Sequence, residues 1–450
     1  MIRLSACLRQ LTHGNHQIGK QSNLWRFCDD MDKRKLISSS QPNDILKSSA
    51  TFNQISNSLY AGFDPTADSL HVGHLIILTA LLRSSKLFGC KPIALIGQAT
   101  ASIGDPSGRN TERPQISLDQ VEQNTKSIKN QLQNLVLNSG SELDIVNNMS
   151  WYKCMSMLDY LKLSKEFRVG EMLRMGAIKN RLGQDNQSLS FTEFAYQTLQ
   201  SYDLYHLSKL KGCNFQLGGS DQLGHITSGY DYVLRMKNEL SGGLCLPLLT
   251  DRSGNKLGKS NLSQGGIWLD SEKTSPYTFY QFFRQLHDDI AVQFYQYLSL
   301  KDFEEISEIE SLHAQNLGKW IVQDKLAEEM TMLVHGAEGL KMAKDCSDLL
   351  FNGNWDLMKL IDTKTVEDLF GASSFRIESN LVKTMGDIAD KTRTDRIKGR
   401  DLMKKGGFKI NGITYNDPDQ LKGNEFSLNK KQRHSIVSWG KRKFSLIIWE

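Results

Sequence analysis

The sequence predicts an α/β fold, in which a parallel β-sheet is covered by helices, followed by an α-helical domain and a small α+β domain. Strand-like apolar runs alternate with helical patterns up to about residue 270, helical patterns alone continue to about residue 350, and short strands beside a basic helix fill the last 75 residues. Alternating strands and helices are typical of a parallel sheet with helices on both faces. Because ligands of such sheets bind at the carboxyl ends of the strands, we expect the functional residues there.

The α/β domain is expected over residues 50–274. Its strands are short apolar runs next to turn-forming residues. They are predicted at Leu59–Phe63, Pro92–Gly97, Leu143–Asn147, Asn214–Gly218 and Leu244–Leu249. Helical periodicity separates these runs, and the helices are predicted at Leu70–Phe88, Ser117–Leu137, Phe191–Leu210 and Gln222–Met236.

The α-helical domain is expected over residues 275–350. It begins at Ser275-Pro276, a pair that is typical of an N-cap followed by proline at the first helical position. A connector is expected over residues 351–375. No apolar run of the chain reaches the roughly 18–20 residues needed to span a membrane, so no membrane association is expected.

The last domain is expected over residues 376–450. A basic helix is predicted at Thr392–Lys405, ended by Gly406-Gly407. Asn411-Gly412 is typical of a two-residue hairpin turn, and the runs HSIVSW and KFSLIIW are predicted to form a β pair around Gly440.

Charge is distributed unevenly along the chain. The net charge is +5, of which residues 1–28 carry +4 and residues 376–450 carry +8, so the segment between them carries −7. A basic tail on an acidic body indicates a polyanionic partner at the C-terminal end. The alternative is a basic but merely solvated surface.

The first 28 residues are predicted to be a mitochondrial transit peptide. They contain arginine, serine, asparagine and glutamine but no acidic residue, and they lack a long apolar core. The alternative is a disordered cytosolic extension. The seven cysteines are scattered without a CxxC pair, which indicates reduced thiols in place of a disulfide framework or a zinc site.

The segment HVGH is expected to bind phosphate. It follows a predicted strand and a turn-rich stretch, so we expect a helix that begins there with Asp68 or Ser69 as its N-cap. The N–H groups and partial positive charge of a helix N-terminus attract anions. His71 and His74 lie three residues apart on one face, and Gly73 leaves room for a flat ring to approach the backbone.

The segment KLGKS, from Lys256 to Ser260, places Lys256 and Lys259 on a glycine-containing loop. Mobile cations beside a phosphate stabilise charge that develops in a transition state. Together with HVGH, this segment indicates a nucleotide whose phosphate is attacked. Either segment alone is common in proteins without such chemistry, where the histidines are ordinary surface or core residues and the lysines are solvated.

Five segments, in this order, resemble class I tyrosyl-tRNA synthetases of the bacterial and mitochondrial type. They are LYAGFDPTADSLHVGHL from Leu59, IGDPSGRNTER from Ile103, FTEFAYQTLQSYD from Phe191, QLGGSDQLGH from Gln216, and KLGKS. The resemblance is dense over residues 50–270 and loose elsewhere. It implies a Rossmann-type nucleotide-binding sheet, a helical domain that binds the tRNA anticodon arm, and a small RNA-binding C-terminal domain.

The resemblance also implies a reaction and its setting. L-tyrosine and ATP form tyrosyl-adenylate and pyrophosphate, and the tyrosyl group then moves to the 3′ end of tRNA(Tyr) for mitochondrial translation. ATP is a substrate that Mg²⁺ accompanies, without a tightly bound cofactor or a protein metal site. A homodimer in the mitochondrial matrix is implied.

The roles of individual residues are carried over from the family's motifs. Residues expected to act on the phosphates are His71, His74, Lys256, Lys259 and Thr66. Residues expected to bind the nucleotide are Asp64, Gly73, Asp221 and Lys259. Residues expected to bind tyrosine are Tyr60, Asp64, Asp105, Tyr196, Gln200, Asp203 and Gln216. Within this set, Tyr60 and Asp203 pair with the phenol, and Asp105 and Tyr196 hold the ammonium group.

Local patterns alone leave other interpretations open. Asp105 in the run GDPSG is also typical of a turn. Tyr196, Gln200 and Asp203 share one helix face, which is also typical of a surface stripe. The chain departs from the family's pattern in three places, with Leu223-Gly224-His225 where Trp-Gly-Asn is frequent, Ile77 where a polar residue is frequent, and Arg109 where lysine is frequent.

Two other functions remain as alternatives. Tryptophanyl-tRNA synthetases share the fold and the reaction, but an indole needs no phenol partner such as Tyr60 with Asp203. An RNA-binding protein with an inactive synthetase fold is the second alternative. Loss of His71, His74 or the two lysines would indicate that case, and all four residues are present.

Overall fold

The structure, a computed structural model, describes most of the chain. The described residues are 21–107, 114–182, 189–250, 254, 257, 266–352, 366–367, 370, 373–392, 399–421, 434–440 and 443–450.

The central sheet confirms the Rossmann-type α/β prediction. In the described part of the chain it contains β1 (Ser39–Gln41), β2 (Ser58–Phe63), β3 (Lys91–Ile96), β4 (Asp144–Asn147), β5 (Phe215–Gly219) and β6 (Gly242–Leu246). The order is β1-β6-β5-β2-β3-β4, with β2 to β6 parallel and β1 antiparallel to β6. The chain order therefore reverses between β2 and β5, the position where doubly wound sheets bind ligands. All five predicted strands are confirmed, with ends that shift by a few residues.

The helices around the sheet also follow the prediction. The described ones are α1 (Asn23–Lys33), α2 (Ser49–Phe52), α3 (Leu75–Phe88), α4 (Gln98–Ala101), α5 (Leu118–Ser139), α6 (Met149–Tyr152), α7 (Met157–Ser164), α8 (Val169–Met172), α9 (Gly176–Leu182), α10 (Phe191–Lys211) and α11 (Leu223–Lys237). Helices α5, α10 and α11 confirm their predictions. The sequence did not predict α6 to α9, which are short and only weakly periodic.

The α/β domain begins earlier than residue 50, so that boundary is wrong. Helix α1 buries Leu24, Phe27 and Met31 in the main hydrophobic core, and β1 extends the sheet by pairing with β6. The expected transit peptide, residues 1–28, therefore includes part of α1. Residues 1–20 lie outside the described part of the chain, but removal of the chain as far as Cys28 would cut through a packed helix.

A buried ionic cluster holds α1 and α3 against the region that follows the sheet. Arg34 donates from Nε to Asp30 Oδ2 at 2.7 Å, and Arg83 Nε lies 3.4 Å from the same oxygen. Both arginine side chains are fully buried. Each also donates to the carbonyl oxygen of Ser299, whose hydroxyl donates to Glu329. Three parts of the chain thus share one set of buried charges.

The predicted helical region is confirmed, and it begins as expected. It contains α12 (Pro276–Arg284), α13 (Asp288–Leu298), α14 (Phe303–Gln315) and α15 (Ile321–Asn352), which bends at Gly336. Ser275 Oγ accepts from Thr278 N at 3.2 Å, and Pro276 takes the first helical position. Side chains of α12 and α13 such as Phe279 and Phe294 belong to the same hydrophobic core as the sheet. The boundary at 274/275 is therefore one of secondary structure and not a break in packing.

The described part of the tail forms a second sheet with two α-helices. Its elements are β7 (Ser374–Ile377), α16 (Met385–Lys391), α17 (Gly399–Met403), β8 (Phe408–Ile410), β9 (Ile413–Thr414), β10 (His434–Trp439) and β11 (Lys443–Trp449), with strand order β7-β11-β10-β8-β9. The hairpin at Asn411-Gly412 is confirmed by φ values of 50° and 83°, and the antiparallel β10–β11 pair is confirmed as well.

The basic helix predicted at Thr392–Lys405 is tested only in part by the described residues. Helix α16 ends at Lys391, and Thr392 caps it with its hydroxyl donating to the Ile388 carbonyl oxygen. Helix α17 (Gly399–Met403) lies within the predicted range, and at Gly399 any side chain would overlap the Ala389 carbonyl oxygen. Residues 393–398 lie outside the described residues. Helices α16 and α17 therefore approach each other closely at Ala389 and Gly399.

Further expectations about the chain concern membranes, metals and thiols. None of the helices that the structure describes combines the length and apolar character needed to cross a membrane. Within the described residues, no group of three or more His, Cys, Asp or Glu side chains is arranged to hold a metal ion. The cysteines that are described are free thiols.

Candidate active site

A cavity of about 730 Å³ opens where β2 and β5 end. It is lined by all the sequence-predicted site residues that the structure describes: Tyr60, Asp64, Thr66, His71, Gly73, His74, Asp105, Tyr196, Gln200, Asp203, Gln216 and Asp221. Lys256 and Lys259 lie outside the described residues. The structure therefore brings together in one cavity residues that are spread over more than 160 positions of the sequence.

The segment HVGH forms its own cap. A 3₁₀ turn at Val72–His74 precedes α3, and His71 is its N-cap, so the expectation that Asp68 or Ser69 caps this helix is wrong. His71 Nδ1 accepts from Gly73 N, and His74 Nδ1 accepts from His71 N, both at 3.1 Å. In the neutral rings the proton must then sit on Nε2. The Nε2–H groups of His71 and His74 are thus two donors on one turn, and both residues line the cavity.

The chain that follows the lysine loop packs against this turn. Val72 N donates to the Ile267 carbonyl oxygen, and Leu269 N donates to the Leu70 carbonyl oxygen, both at 2.9 Å. Leu257, which lies between the two expected lysines, lines the cavity. A side chain at Gly73 would overlap the Leu257 carbonyl oxygen. Gly73 therefore accommodates the backbone of the KLGKS segment, a contact that the sequence did not predict.

The expected phenol-binding residues lie on adjacent elements. Asp203 of α10 is buried and accepts from Trp151 Nε1 at 3.0 Å and from Asn148 Nδ2 at 3.2 Å. Burial raises the pKa of Asp203 to about 7, although these hydrogen bonds favour the charged form. Its carboxylate is thus held in place at a considerable cost in desolvation.

Two polar atoms of the sheet have no partner among the described residues. They are the Tyr60 hydroxyl on β2 and the Gln216 Oε1 on β5, and Tyr60 and Gln216 are opposite each other in the register of the two strands. Both residues are buried and both line the cavity. Since buried polar groups in proteins are normally hydrogen-bonded, these atoms indicate a polar ligand between β2 and β5.

A second polar cluster surrounds Asp105. Gln222 Nε2 donates to Asp105 Oδ2 at 2.9 Å, and Ser107 N donates to Asp105 Oδ1 at 2.8 Å. His225 Nε2 lies 3.3 Å from the same Oδ1. Burial alone would raise the pKa of Asp105, but the contacts with His225 and Ser107 outweigh it and the pKa is lowered. Asp105 is therefore a half-buried carboxylate that stays charged.

Tyr196 and Asp64 connect the two clusters. The Tyr196 hydroxyl donates to Asp64 Oδ2 at 2.8 Å, and the Thr100 hydroxyl donates to Asp64 Oδ1 at 2.8 Å. Burial and the neighbouring carboxylates raise the pKa of Tyr196, so its hydroxyl keeps its proton. Gln200 donates to Gln222 Oε1 at 3.2 Å. The face of α10 that carries these residues thus lines the cavity and is not a surface stripe.

Several residues of the site were missed by the sequence analysis. They are Thr100, Ser107, Asn148, Trp151, Gln222 and His225. Gln222 and His225 stand inside the motif QLGGSDQLGH, and Asn148 directly follows β4, so its position at a strand end was a usable signal. Trp151 has no local signal, because its partner Asp203 is 52 residues away.

The chain is similar to known proteins over most of its length. The sequence model of the family described as tRNA synthetases class I (W and Y) matches residues 53–352. The chain is 38% identical over 401 residues to a tyrosine–tRNA ligase of Klebsiella pneumoniae, covering 87% of this chain and 91% of that one. It is 36% identical over 409 residues to the mitochondrial tyrosine–tRNA ligase of Rattus norvegicus, covering 87% and 85%. A C-terminally truncated mitochondrial tyrosyl-tRNA synthetase of Aspergillus nidulans superposes with a TM-score of 0.64 at 27% identity, covering 78% of this chain and 100% of that one.

Proposed function

This chain belongs to the class I tRNA synthetases of the tryptophan and tyrosine family, and from that premise we propose that it is a tyrosine–tRNA ligase. It joins L-tyrosine to the AMP moiety of ATP, which gives tyrosyl-adenylate and pyrophosphate. It then transfers the tyrosyl group to tRNA(Tyr). The observation that carries the choice of tyrosine is the buried Tyr60 hydroxyl, which has no partner among the described residues and lines the same cavity as Asp203. Together they form a hydrogen-bonding site for a phenol.

The phenol of the substrate donates to Asp203 and accepts from Tyr60. A carboxylate only accepts, whereas a tyrosine hydroxyl both donates and accepts, so this pair can satisfy the phenol. Phenylalanine would leave the buried carboxylate without that partner, which costs free energy. Gln216 adds its amide on the β5 side, and Asp105 and Tyr196 hold the ammonium group. The indole of tryptophan offers no hydroxyl to this pair.

Adenylate formation needs no nucleophile from the protein. A carboxylate oxygen of tyrosine forms a bond to the α-phosphorus of ATP, and the bond from that phosphorus to the bridging oxygen breaks, which releases pyrophosphate. The Nε2–H groups of His71 and His74, with Thr66 and the side chains of Lys256 and Lys259, stabilise the charge that develops on the phosphates. The protein contributes position and charge.

The nucleotide lies across the turn that follows β2. Asp64, Gly73 and Asp221 line that part of the cavity together with the histidine pair. Mg²⁺ would enter with ATP, and phosphate oxygens and water would supply its ligands. The protein carboxylates nearby suit this arrangement, because Asp64 already accepts from Tyr196 and Thr100, and Asp105 from Gln222 and Ser107.

The test of this function is ATP–pyrophosphate exchange, without tRNA, in the presence of tyrosine, phenylalanine or tryptophan. We expect exchange that depends on tyrosine, and Asp203→Ala should narrow the preference for tyrosine over phenylalanine. Exchange with tryptophan in place of tyrosine would indicate a tryptophan enzyme. A folded protein without exchange for any of the three would indicate an RNA-binding protein with an inactive site.

The chain acts as a homodimer. Large apolar side chains are concentrated at the surface of residues 157–191, where Met157 is 72% exposed, Leu158 67% and Phe191 75%. A second copy of the chain would cover them. We expect Leu158→Glu to shift the protein to monomers in sedimentation, while Leu137→Glu, a change at an 80% exposed leucine on α5, leaves the mass unchanged. If sedimentation gives the same mass for both variants, the dimer interface does not include Leu158.

The tail binds tRNA phosphates, but fewer of its basic residues are available than the sequence indicated. Arg400 is engaged by Asp387 and Asp390, and Arg393, Arg396 and Lys398 lie outside the described residues. Lys404 and Lys405 are exposed beside α17. Charge reversal at both lysines should weaken tRNA binding and reduce its salt dependence by roughly one to two released counterions, with tyrosine-dependent exchange unchanged.

The control for this tail experiment is charge reversal at Lys126 and Lys129 of α5, which are exposed as well. If both pairs of reversals weaken tRNA binding equally, the effect reports net charge and not the tail.

The helical region, residues 275–350, binds the anticodon arm.

The protein works in the mitochondrial matrix, and its leader ends before α1. Ser22 Oγ caps this helix by accepting from Trp25 N at 3.1 Å, so cleavage at or before Gln21 keeps α1 and its cap whole. Sequencing of the N-terminus of the protein isolated from mitochondria tests this boundary, and a mature chain that begins after Cys28 would contradict it.

A further inference from the structure

His225 stands in the first turn of α11, directly behind Asp105. It is 3% exposed. It is also one of the positions where this chain departs from the family's pattern, since asparagine is frequent there. The residue therefore replaces a small amide with a larger ring in a closely packed part of the site.

The contacts of His225 all lead to the carboxylate cluster. Its Nε2 lies 2.9 Å from Ser107 Oγ and 3.3 Å from Asp105 Oδ1. Its ring lies next to the Tyr196 ring, with centroids 5.5 Å apart. On the other side of the carboxylate, Gln222 donates to Asp105 Oδ2. Asp105 is thus held through both of its oxygens.

The protonation of the ring follows from these partners. The pKa of Asp105 is lowered, so the carboxylate is charged and can only accept hydrogen bonds. The Nε2 atom must then carry the proton that faces Asp105 and Ser107. Nδ1 has no partner among the described residues, so Nε2 is the ring nitrogen that makes the polar contacts. A hydrogen bond to a charged acceptor is stronger than one between neutral groups.

We propose that His225 is a positioning residue that orients Asp105 toward the ammonium group of the amino acid substrate. This assignment rests on the proposed function, in which Asp105 receives that ammonium. What position 225 must supply is one N–H donor aimed at Asp105 Oδ1. Histidine supplies it from a ring nitrogen, and asparagine supplies it from an amide, which explains how the departure from the family's pattern keeps the site intact.

The inference predicts an effect that depends on the ammonium group. His225→Phe keeps a ring of similar size and removes the donor, whereas His225→Asn restores an N–H. Two inhibitors separate the ends of the substrate: tyramine has the phenol and the ammonium, and 3-(4-hydroxyphenyl)propionate has the phenol and the carboxylate. Inhibition by each is measured in tyrosine-dependent pyrophosphate exchange.

We expect His225→Phe to raise the KM for tyrosine and the inhibition constant of tyramine by about tenfold, the lower end for loss of one hydrogen bond to a charged group. The inhibition constant of the propionate and the kcat should change by less than about threefold, which is small beside that effect. His225→Asn should behave like the unaltered protein. His206→Phe is the control, because His206 stacks on Trp151 and not on the Asp105 cluster; its ratio of the two inhibition constants should not change.

Equal weakening of both inhibitors by His225→Phe would show that the residue only packs, and the assignment would be wrong. The same conclusion follows if His225→Asn does not restore the tyramine constant. If the phenylalanine variant lacks the unfolding transition of the unaltered protein, His225→Leu replaces it in the same comparison. Absence of tyrosine-dependent exchange in the unaltered protein would overturn the proposed function itself, which is a separate outcome from unchanged tyramine inhibition in an active enzyme.

Discussion

The difference in free energy of unfolding between the Asp203→Asn variant and the unaltered protein, both without ligand, should shift in favour of the variant as the pH rises. Burial raises the pKa of the Asp203 carboxyl from 3.8 to about 7. In the unfolded chain the group ionises near its ordinary value. The folded protein therefore binds one proton more than the unfolded chain between these two values, so its stability falls as the pH rises through this range.

The magnitude follows from the two pKa values. At pH 5 the ionisation of Asp203 in the unfolded chain lowers the free energy of unfolding by about 1.7 kcal/mol, and at pH 8 by about 4 kcal/mol. Asparagine does not titrate. The difference in free energy of unfolding between the variant and the unaltered protein should therefore move by about 2.5 kcal/mol in favour of the variant between pH 5 and pH 8.

Any constant effect of the substitution cancels in this comparison. The amide that Asp203→Asn introduces accepts from only one of the two donors, Asn148 and Trp151, so the variant starts with a fixed loss of about 1–2 kcal/mol at every pH. The measurement is urea unfolding at pH 5, 6, 7 and 8, without ligand. Asp44→Asn, which removes an exposed carboxylate, is the control. A difference that stays the same from pH 5 to pH 8 would refute the assignment of a raised pKa to Asp203.

Three further predictions follow from the same geometry. His74→Ala should slow adenylate formation by about 2–4 kcal/mol in activation free energy and leave tyrosine binding nearly unchanged; rapid-quench measurement of the first turnover checks this, and an unaltered rate would exclude His74 from the phosphate site. The KM for tyrosine should fall as the pH rises through about 7, because the charged Asp203 is the better acceptor for the phenol, and this step in the pH profile should be absent in Asp203→Asn. Asp30→Asn should lower the free energy of unfolding by about 3–5 kcal/mol, because two buried arginines lose their shared partner. The control Asp29→Asn removes an exposed ion pair with Lys33 and should lower it by under about 1 kcal/mol. Equal losses for the two variants in urea unfolding would contradict the stabilising role of the buried cluster.

The strands of the fold were predictable because each is a short apolar run beside turn-forming residues. The N-terminal elements were not. Helix α1 lies in a stretch that begins without acidic residues, so its composition resembles a leader, and β1 is three polar residues whose place depends on pairing with β6. Only the tertiary structure reveals that both belong to the sheet domain.

The site could be predicted where a motif is contiguous and could not where partners are distant. HVGH was identified from its position after a predicted strand, and the site residues of α10 from the resemblance of their segment to the family's motif. The partnership of Asn148 and Trp151 with Asp203 joins residues more than 50 positions apart, and no local pattern encodes it. The cap of α3 was misassigned for a related reason, since histidine is an uncommon N-cap and its role here depends on ring nitrogens that accept from the backbone.

The close approach of Leu257 to Gly73 has a consequence for how this chain can vary. The two positions are 184 residues apart, yet the space that one side chain would fill is taken by the backbone of the other segment. Residue 73 is therefore not free to accept even alanine unless the loop that carries the two lysines takes another path. The histidine turn and the lysine loop must therefore fit each other. A substitution in one is tolerated only if the other can still pack against it.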